Sequence, residues 1–156
     1  DLQIGLNVFE KAPVRPKEEA GAIVVDDTDD GARFIGQWQH ASGSDSGYFL
    51  GTRWAWKGKG EARAVFTPKV PKTGRYMVYA YFGPDPVKDH STHAPVIISY
   101  LGGTVTRHVD LRTMKGQWVS LGGPYTFQAG SKGSITFTND ANGNVLADAV
   151  KLVPAR

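Results

Sequence analysis

Apolar and polar residues alternate with a period of two along much of this chain, in short runs separated by glycine, proline and small polar residues. The clearest run is Arg75-Tyr76-Met77-Val78-Tyr79-Ala80-Tyr81-Phe82, bounded by Thr73-Gly74 and by Gly83-Pro84. Ala62, Ala64 and Phe66 alternate with Arg63 and Val65 before Pro68 ends the run. Runs rich in β-branched and aromatic residues and closed by turn formers predict strands. The same reading places strands over residues 23–26, 33–40, 48–56, 62–66, 75–82, 95–101, 104–111, 117–121, 125–128, 134–138 and 145–153. Gly102-Gly103 supplies a two-residue hairpin turn, because glycine accepts positive φ without steric cost. No window of eleven residues carries a helical stripe with caps. Roughly ten or eleven short strands, spaced by about 8–12 residues, define an all-β chain of the sandwich or jelly-roll kind.

Before these runs the pattern weakens. Leu2, Ile4, Leu6 and Val8 alternate with Gln3, Gly5, Asn7 and Phe9, and a polar stretch with Pro13 and Pro16 follows over residues 10–21. That stretch reads as an inter-domain linker, and residues 1–9 as the remnant of a preceding domain or an added edge strand. The division is therefore 1–21 for remnant and linker, and 22–156 for one β-sandwich domain. A length of 156 residues suits one domain, and 19 glycines with 9 prolines agree with many turns. The absence of cysteine excludes a disulfide scaffold, thiolate catalysis and cysteine zinc sites. No apolar run approaches the ~18 residues of a membrane span. With neither a signal peptide nor an initiator Met, the sequence reads as an excised piece of a longer protein.

Charge is unevenly spread behind a net +3. Residues 18–30 carry Glu18, Glu19, Asp26, Asp27, Asp29 and Asp30 with no base among them. Residues 53–75 carry Arg53, Lys57, Lys59, Arg63, Lys69, Lys72 and Arg75 against Glu61 alone. A basic stripe of this kind either attracts polyanions or is a solvated strand face.

Catalytic constellations are scarce. Ser44-Asp45-Ser46-Gly47 resembles a serine nucleophile turn only superficially, and its Gly/Ser-rich setting reads as a mobile loop. His90 and His93 stand three apart in a polar loop without the glutamate of zinc-peptidase helices. Asp26, Thr28, Asp30 and Gly31 match a calcium loop in part, but Gln37 replaces the bidentate glutamate and no helices flank it. The cluster is thus either a turn with side chains bonded to nearby backbone N–H groups or a strand-end calcium site of another kind. Asp148 interrupts the apolar run over residues 145–152 and shares a face with Leu146, Val150 and Leu152. Buried there, it must be a structural carboxylate bonded to donors or a ligand to a cation, with Asp26 and Asp27 as the other calcium candidates.

The aromatic residues carry the strongest binding signal. Trp38 and Trp118 read as core. Tyr48, Phe49, Trp54 and Trp56 crowd a segment that contains Arg53 and runs into Lys57. Aromatic planes beside cationic and polar groups suit sugar rings, and Arg53 suits a carboxylate. Tyr48, Arg53, Trp54 and Trp56 are accordingly the candidate ligand-binding residues. The competing reading is that Trp54 and Trp56 cover one sheet face as packing.

From about residue 22 to 153 the chain resembles the golvesin C-terminal domain family, also called xanthan-lyase carbohydrate-binding-like domains. The resemblance rests on Ile23-Val24-Val25-Asp26-Asp27, Gly36-Gln37-Trp38, Gly74-Arg75-Tyr76-Met77-Val78-Tyr79-Ala80 and His93-Ala94-Pro95-Val96. It continues through Gly116-Gln117-Trp118-Val119-Ser120-Leu121-Gly122, Phe127-Gln128-Ala129-Gly130, Gly133-Ser134-Ile135-Thr136-Phe137 and Ala147-Asp148-Ala149-Val150. It implies a jelly-roll sandwich like galactose-binding domains, and a non-catalytic accessory role in a larger secreted bacterial protein. The implied partners are a polysaccharide, expected to be acidic, and the catalytic domain of the same parent chain, rather than nucleic acid. The location implied is extracellular or the cell envelope. No cofactor is expected; a structural calcium ion at Asp26, Asp27 and Asp148 is the alternative left open by the residues themselves. A purely structural domain, packing on or spacing a catalytic partner, is the alternative. Residues 43–60 depart most from the family pattern, and specificity is expected there.

Overall fold

Strict alternation over nine residues makes β6 (Gly74–Phe82) the organising strand. Tyr76, Val78, Ala80 and Phe82 are buried on one side, and Arg75, Met77, Tyr79 and Tyr81 face the other. In the computed structural model, which describes residues 13–41, 47–83, 88–113 and 116–156, β6 lies between β13 (Ala149–Pro154) on one edge and both β9 (Gln117–Ser120) and β10 (Tyr125–Phe127) on the other. β1 (Ile23–Asp26) completes this sheet by pairing with β13. A second five-stranded sheet runs in the order β2 (Ala32–Ile35), β5 (Arg63–Phe66), β11 (Ser134–Thr138), β7 (Ala94–Tyr100), β8 (Gly103–Val109). A small third sheet orders β12 (Val145–Ala147), β4 (Thr52–Ala55) and β3 (Gln39–Ala41). All pairings between these strands are antiparallel. The described residues contain no α-helix, only one 3₁₀ turn over Leu111–Thr113.

The two large sheets close on one core. Val78, Ala80, Phe82, Val150, Leu152 and Phe127 come from the first, and Phe66, Val96, Ile98, Ile135 and Phe137 from the second. Apolar burial at this interface is what selects a sandwich, because each sheet has one apolar face to cover.

The structure departs from the sequence pattern at four places. The run over 33–40 splits into β2 and β3 because Gly36 turns the chain with a φ of 83°. The run over 48–56 forms a strand only from Thr52, since residues 47–50 make a turn in which Leu50 takes a φ of 60°. The run over 145–153 breaks at Asp148, between β12 and β13. The hairpin turn is one residue earlier than expected: Tyr100 pairs with Gly103, so Leu101 and Gly102 form the loop, with Gly102 at a φ of 108°. The readings of residues 1–9 as a strand, of 10–12 as linker and of Ser44, Asp45 and Ser46 as a loop lie outside the described residues.

Candidate functional site

Two neighbouring sites emerge where the small third sheet meets the sandwich. The first is built on carboxylates. β1 ends at Asp26, paired with Ala149 of β13, and the Asp27 backbone N–H then donates to the Asp148 carbonyl at 2.8 Å. This crossing holds the turn after β1 against the break between β12 and β13, so Asp26, Asp27 and Asp148 converge. One oxygen from each lies within 4.8 Å of the others, and all three residues are buried. Each carboxylate engages the protein through Oδ2. That of Asp26 accepts from the Thr28 backbone N–H (3.0 Å) and hydroxyl (2.6 Å), that of Asp27 from Arg53 Nε (3.2 Å), and that of Asp148 from the Tyr48 backbone N–H (2.9 Å).

Burial pushes the Asp148 carboxyl up to about 9, reinforced by the charges of Asp27 and Asp26 and only partly offset by backbone N–H donors of Tyr48 and Gly83. Asp27 is raised by burial and then by Asp26, against the pull of Arg53. Asp26 is raised by burial, against its bonds from Thr28. The reading of this cluster as a turn with side chains on backbone N–H groups describes Asp26, and also Asp29, whose Oδ2 accepts from the Asp26 N–H at 2.9 Å.

The second site is aromatic. Trp54 in β4 is half-buried against the core, whereas Trp56, just past the strand end, is 60% exposed. Their rings meet edge to face, with centroids 4.6 Å apart and planes at 83°. Together with Lys88, Asp89 and Asn144 they line an open cleft of about 310 Å³. Trp56 also borders a cleft over Asn142 and Gly143 and another over Gln37 and Glu61, so its indole stands as a ridge between concavities.

Two buried asparagines fix this edge. Asn144 Oδ1 accepts from the Lys57 N–H at 3.3 Å, and Nδ2 donates to the Lys88 carbonyl at 2.8 Å. Asn139 Nδ2 donates to the Trp56 carbonyl and to Glu61 Oε1, both at 3.0 Å, while its Oδ1 accepts from the N–H groups of Gly60 (3.0 Å) and Ala62 (3.1 Å). An indole face beside cations, a carboxylate and fixed amides can stack on a sugar ring and hydrogen-bond its hydroxyls.

Of the four residues expected to form one ligand platform, the structure brings together Trp54 and Trp56 and separates Tyr48 and Arg53 from them. Tyr48 is only 7% exposed. Its ring packs edge-on against Tyr81 (5.4 Å) and tilted against Trp118 (5.2 Å), on the side of the first sheet away from the core, and its hydroxyl donates to Glu18 Oε2 at 2.9 Å. Arg53 is held by Asp27 with its guanidinium 5.0 Å above the Phe34 ring. Trp38 packs at the core edge against Phe34, as expected, but Trp118 lies on the outer face of the first sheet. His93 stacks on His108 with rings 3.7 Å apart. The one carboxylate or imidazole group suited to a metal among the described residues is the aspartate trio.

The sequence reading missed Asn139, Asn144, Lys88 and Lys151. The run Asn139-Asp140-Ala141-Asn142-Gly143-Asn144 held a signal, three asparagines in one turn-rich loop beside an apolar strand. Lys151 held another, a lone charge inside an apolar strand: it is buried, and its ammonium donates to Glu18 at 2.8 Å and Glu19 at 3.0 Å.

Comparison with known proteins places this geometry. Residues 23–154 match the Golvesin C-terminal domain family. A xanthan lyase of Bacillus sp. (strain GL1) is 37% identical over 150 residues, which cover 90% of this chain and 16% of that protein. The solved xanthan lyase of Paenibacillus superposes with a TM-score of 0.75 at 35% identity, over 86% of this chain and 13% of that one. The GH26-CBM35 β-(1,4)-mannanase of Podospora anserina superposes with a TM-score of 0.64 at 15% identity, over 88% of this chain and 28% of that one, a likeness of fold. The chain therefore spans about a sixth of the curated relative it matches.

Proposed function

The chain belongs to the golvesin C-terminal domain family, and from that premise we propose that it is a non-catalytic accessory domain that binds polysaccharide through the cleft at Trp56. The observation that carries this reading is an indole 60% exposed on a rigid support. A large aromatic surface left in water at a concave site is the exception in a folded domain and suits a stacked ligand. Lys57 and Lys88 beside the indole favour an acidic glycan, taking the role expected of Arg53. The likeness to xanthan lyases supports a setting in a larger secreted bacterial protein whose chemistry lies in another domain. No helix among the described residues is long and apolar enough to cross a membrane.

Affinity electrophoresis against a panel of acidic and neutral polysaccharides tests the proposal. Retardation in acidic gels that weakens with added salt is expected, since screening weakens exposed charge pairs. A second reading, that the domain chiefly packs on or spaces a catalytic partner, draws on the anchoring of residues 13–21 to the sandwich. It predicts that deleting the domain from the parent protein impairs assembly while no glycan is retained.

A further inference from the structure

We propose that Asp26, Asp27 and Asp148 form a binding site for one divalent cation, calcium by its chemistry, that ties the end of β1 and the start of β13 to the small sheet. The inference is independent of glycan binding. Among the described residues, the buried side-chain oxygens without a hydrogen-bond partner are Asp26 Oδ1, Asp27 Oδ1, Asp148 Oδ1 and Thr52 Oγ1. The residues are 0%, 4%, 0% and 0% exposed. Buried polar atoms are almost always satisfied, so several orphans in one neighbourhood point to a missing partner. Three of the four are the second oxygens of carboxylates whose first oxygens are already engaged. The fourth belongs to Thr52, next to Arg53 on β4; Arg53 pairs with Ala147, and the ladder continued by one residue would set Thr52 opposite Asp148.

Donor chemistry and charge select the ion. The carboxylate oxygens lie within 4.8 Å of one another, close enough for one ion to reach all three. All donors are oxygen, which suits a hard cation and disfavours zinc or copper. Ionised together, the three carboxylates would outnumber the cations that act on them, Arg53 on Asp27 and Arg15 on Asp26, and a divalent ion would balance the excess in this buried place. The ligands come from the end of β1 and from the break between β12 and β13, with Thr52 from β4. A bound ion would therefore fasten three segments far apart in sequence, and would give the break at Asp148 its purpose.

The test uses the chain treated with EDTA and exchanged into metal-free buffer, with no glycan present. Calorimetric titration with calcium chloride is expected to show one site per chain. At a calcium concentration a hundredfold above Kd, the melting temperature should rise by about 5–10 °C. Asp148→Asn should lose both effects. It should also reverse sign: in EDTA it melts at or above wild type, because an amide replaces a buried carboxyl that is costly to ionise, and in calcium it melts below. If Asp148→Asn does not fold, Asp27→Asn serves the same comparison. Absence of binding heat with a melting temperature indifferent to calcium and EDTA overturns the proposal, as does an equal calcium shift in wild type and variant.

Discussion

Asn139 does for the aromatic cleft what no residue in the cleft can do for itself. Its amide holds the Trp56 carbonyl, Glu61 and the N–H groups of Gly60 and Ala62 at once. Asn139→Ala should therefore lower stability by about 2–4 kcal/mol, since buried backbone groups lose their partners. It should weaken glycan binding as well, because the loop carrying Trp56 is released; chemical denaturation and a binding titration on the same variant check both. Trp56→Ala should behave differently, with stability within about 1 kcal/mol of wild type, because an exposed ring contributes little to folding. Trp54→Ala, half-buried on the core, should cost about 2–3 kcal/mol. The tryptophans and the three aspartates were legible in the sequence because aromatics in a basic segment and a charge in an apolar run are local anomalies. The asparagines were not, since an asparagine in a turn looks alike whether it caps its own loop or braces another more than fifty residues away.

Among the elements, the segment over residues 13–21 is the one whose character changes most between sequence and structure. Its composition is that of a linker, yet it is fastened to the first sheet. Arg15 grips Asp29 through two hydrogen bonds of 2.7 and 3.0 Å, and Lys151 takes Glu18 and Glu19. Burial pulls the Lys151 ammonium down, but its bonds to Glu18 and Glu19 more than offset this, so it is raised above the ordinary lysine value. A group raised on folding stabilises the fold fully below its unfolded value, near 10.4, and the contribution fades as pH climbs through the folded value. Limited proteolysis should thus leave residues 13–21 intact at neutral pH and cut them only once pH climbs past the raised value of Lys151. Lys151→Met should make the cuts appear at neutral pH, and resistance unchanged by the variant would mean that Lys151 does not hold the segment.

The reading of residues 48–56 as one strand failed for a related reason. It grouped Tyr48 with Trp54 and Trp56 in one platform, whereas the turn at 47–50 interrupts the strand and Tyr48 packs on the far sheet face. Strands such as β5, β6 and β11 were legible because their facing is set by one shared core.

In the whole molecule, the two large sheets supply the frame, and both candidate sites lie where the small sheet meets it. The cleft at Trp56 opens on β4 and on the loop before β12, and the aspartate trio lies where the end of β12 meets the end of β1. The basic stripe seen in the sequence is divided by the fold. Arg53 turns inward to Asp27, while Lys57 stays exposed beside the cleft. Glycan binding at this edge is tested most directly by running wild type and Trp56→Ala side by side in affinity gels containing acidic polysaccharide, with thermal melts of both. Retardation of the wild type, at least tenfold weaker in a Trp56→Ala variant that melts at the same temperature, is the predicted result. Retardation equal in the two proteins, or a wild type that no polysaccharide retards, would contradict it.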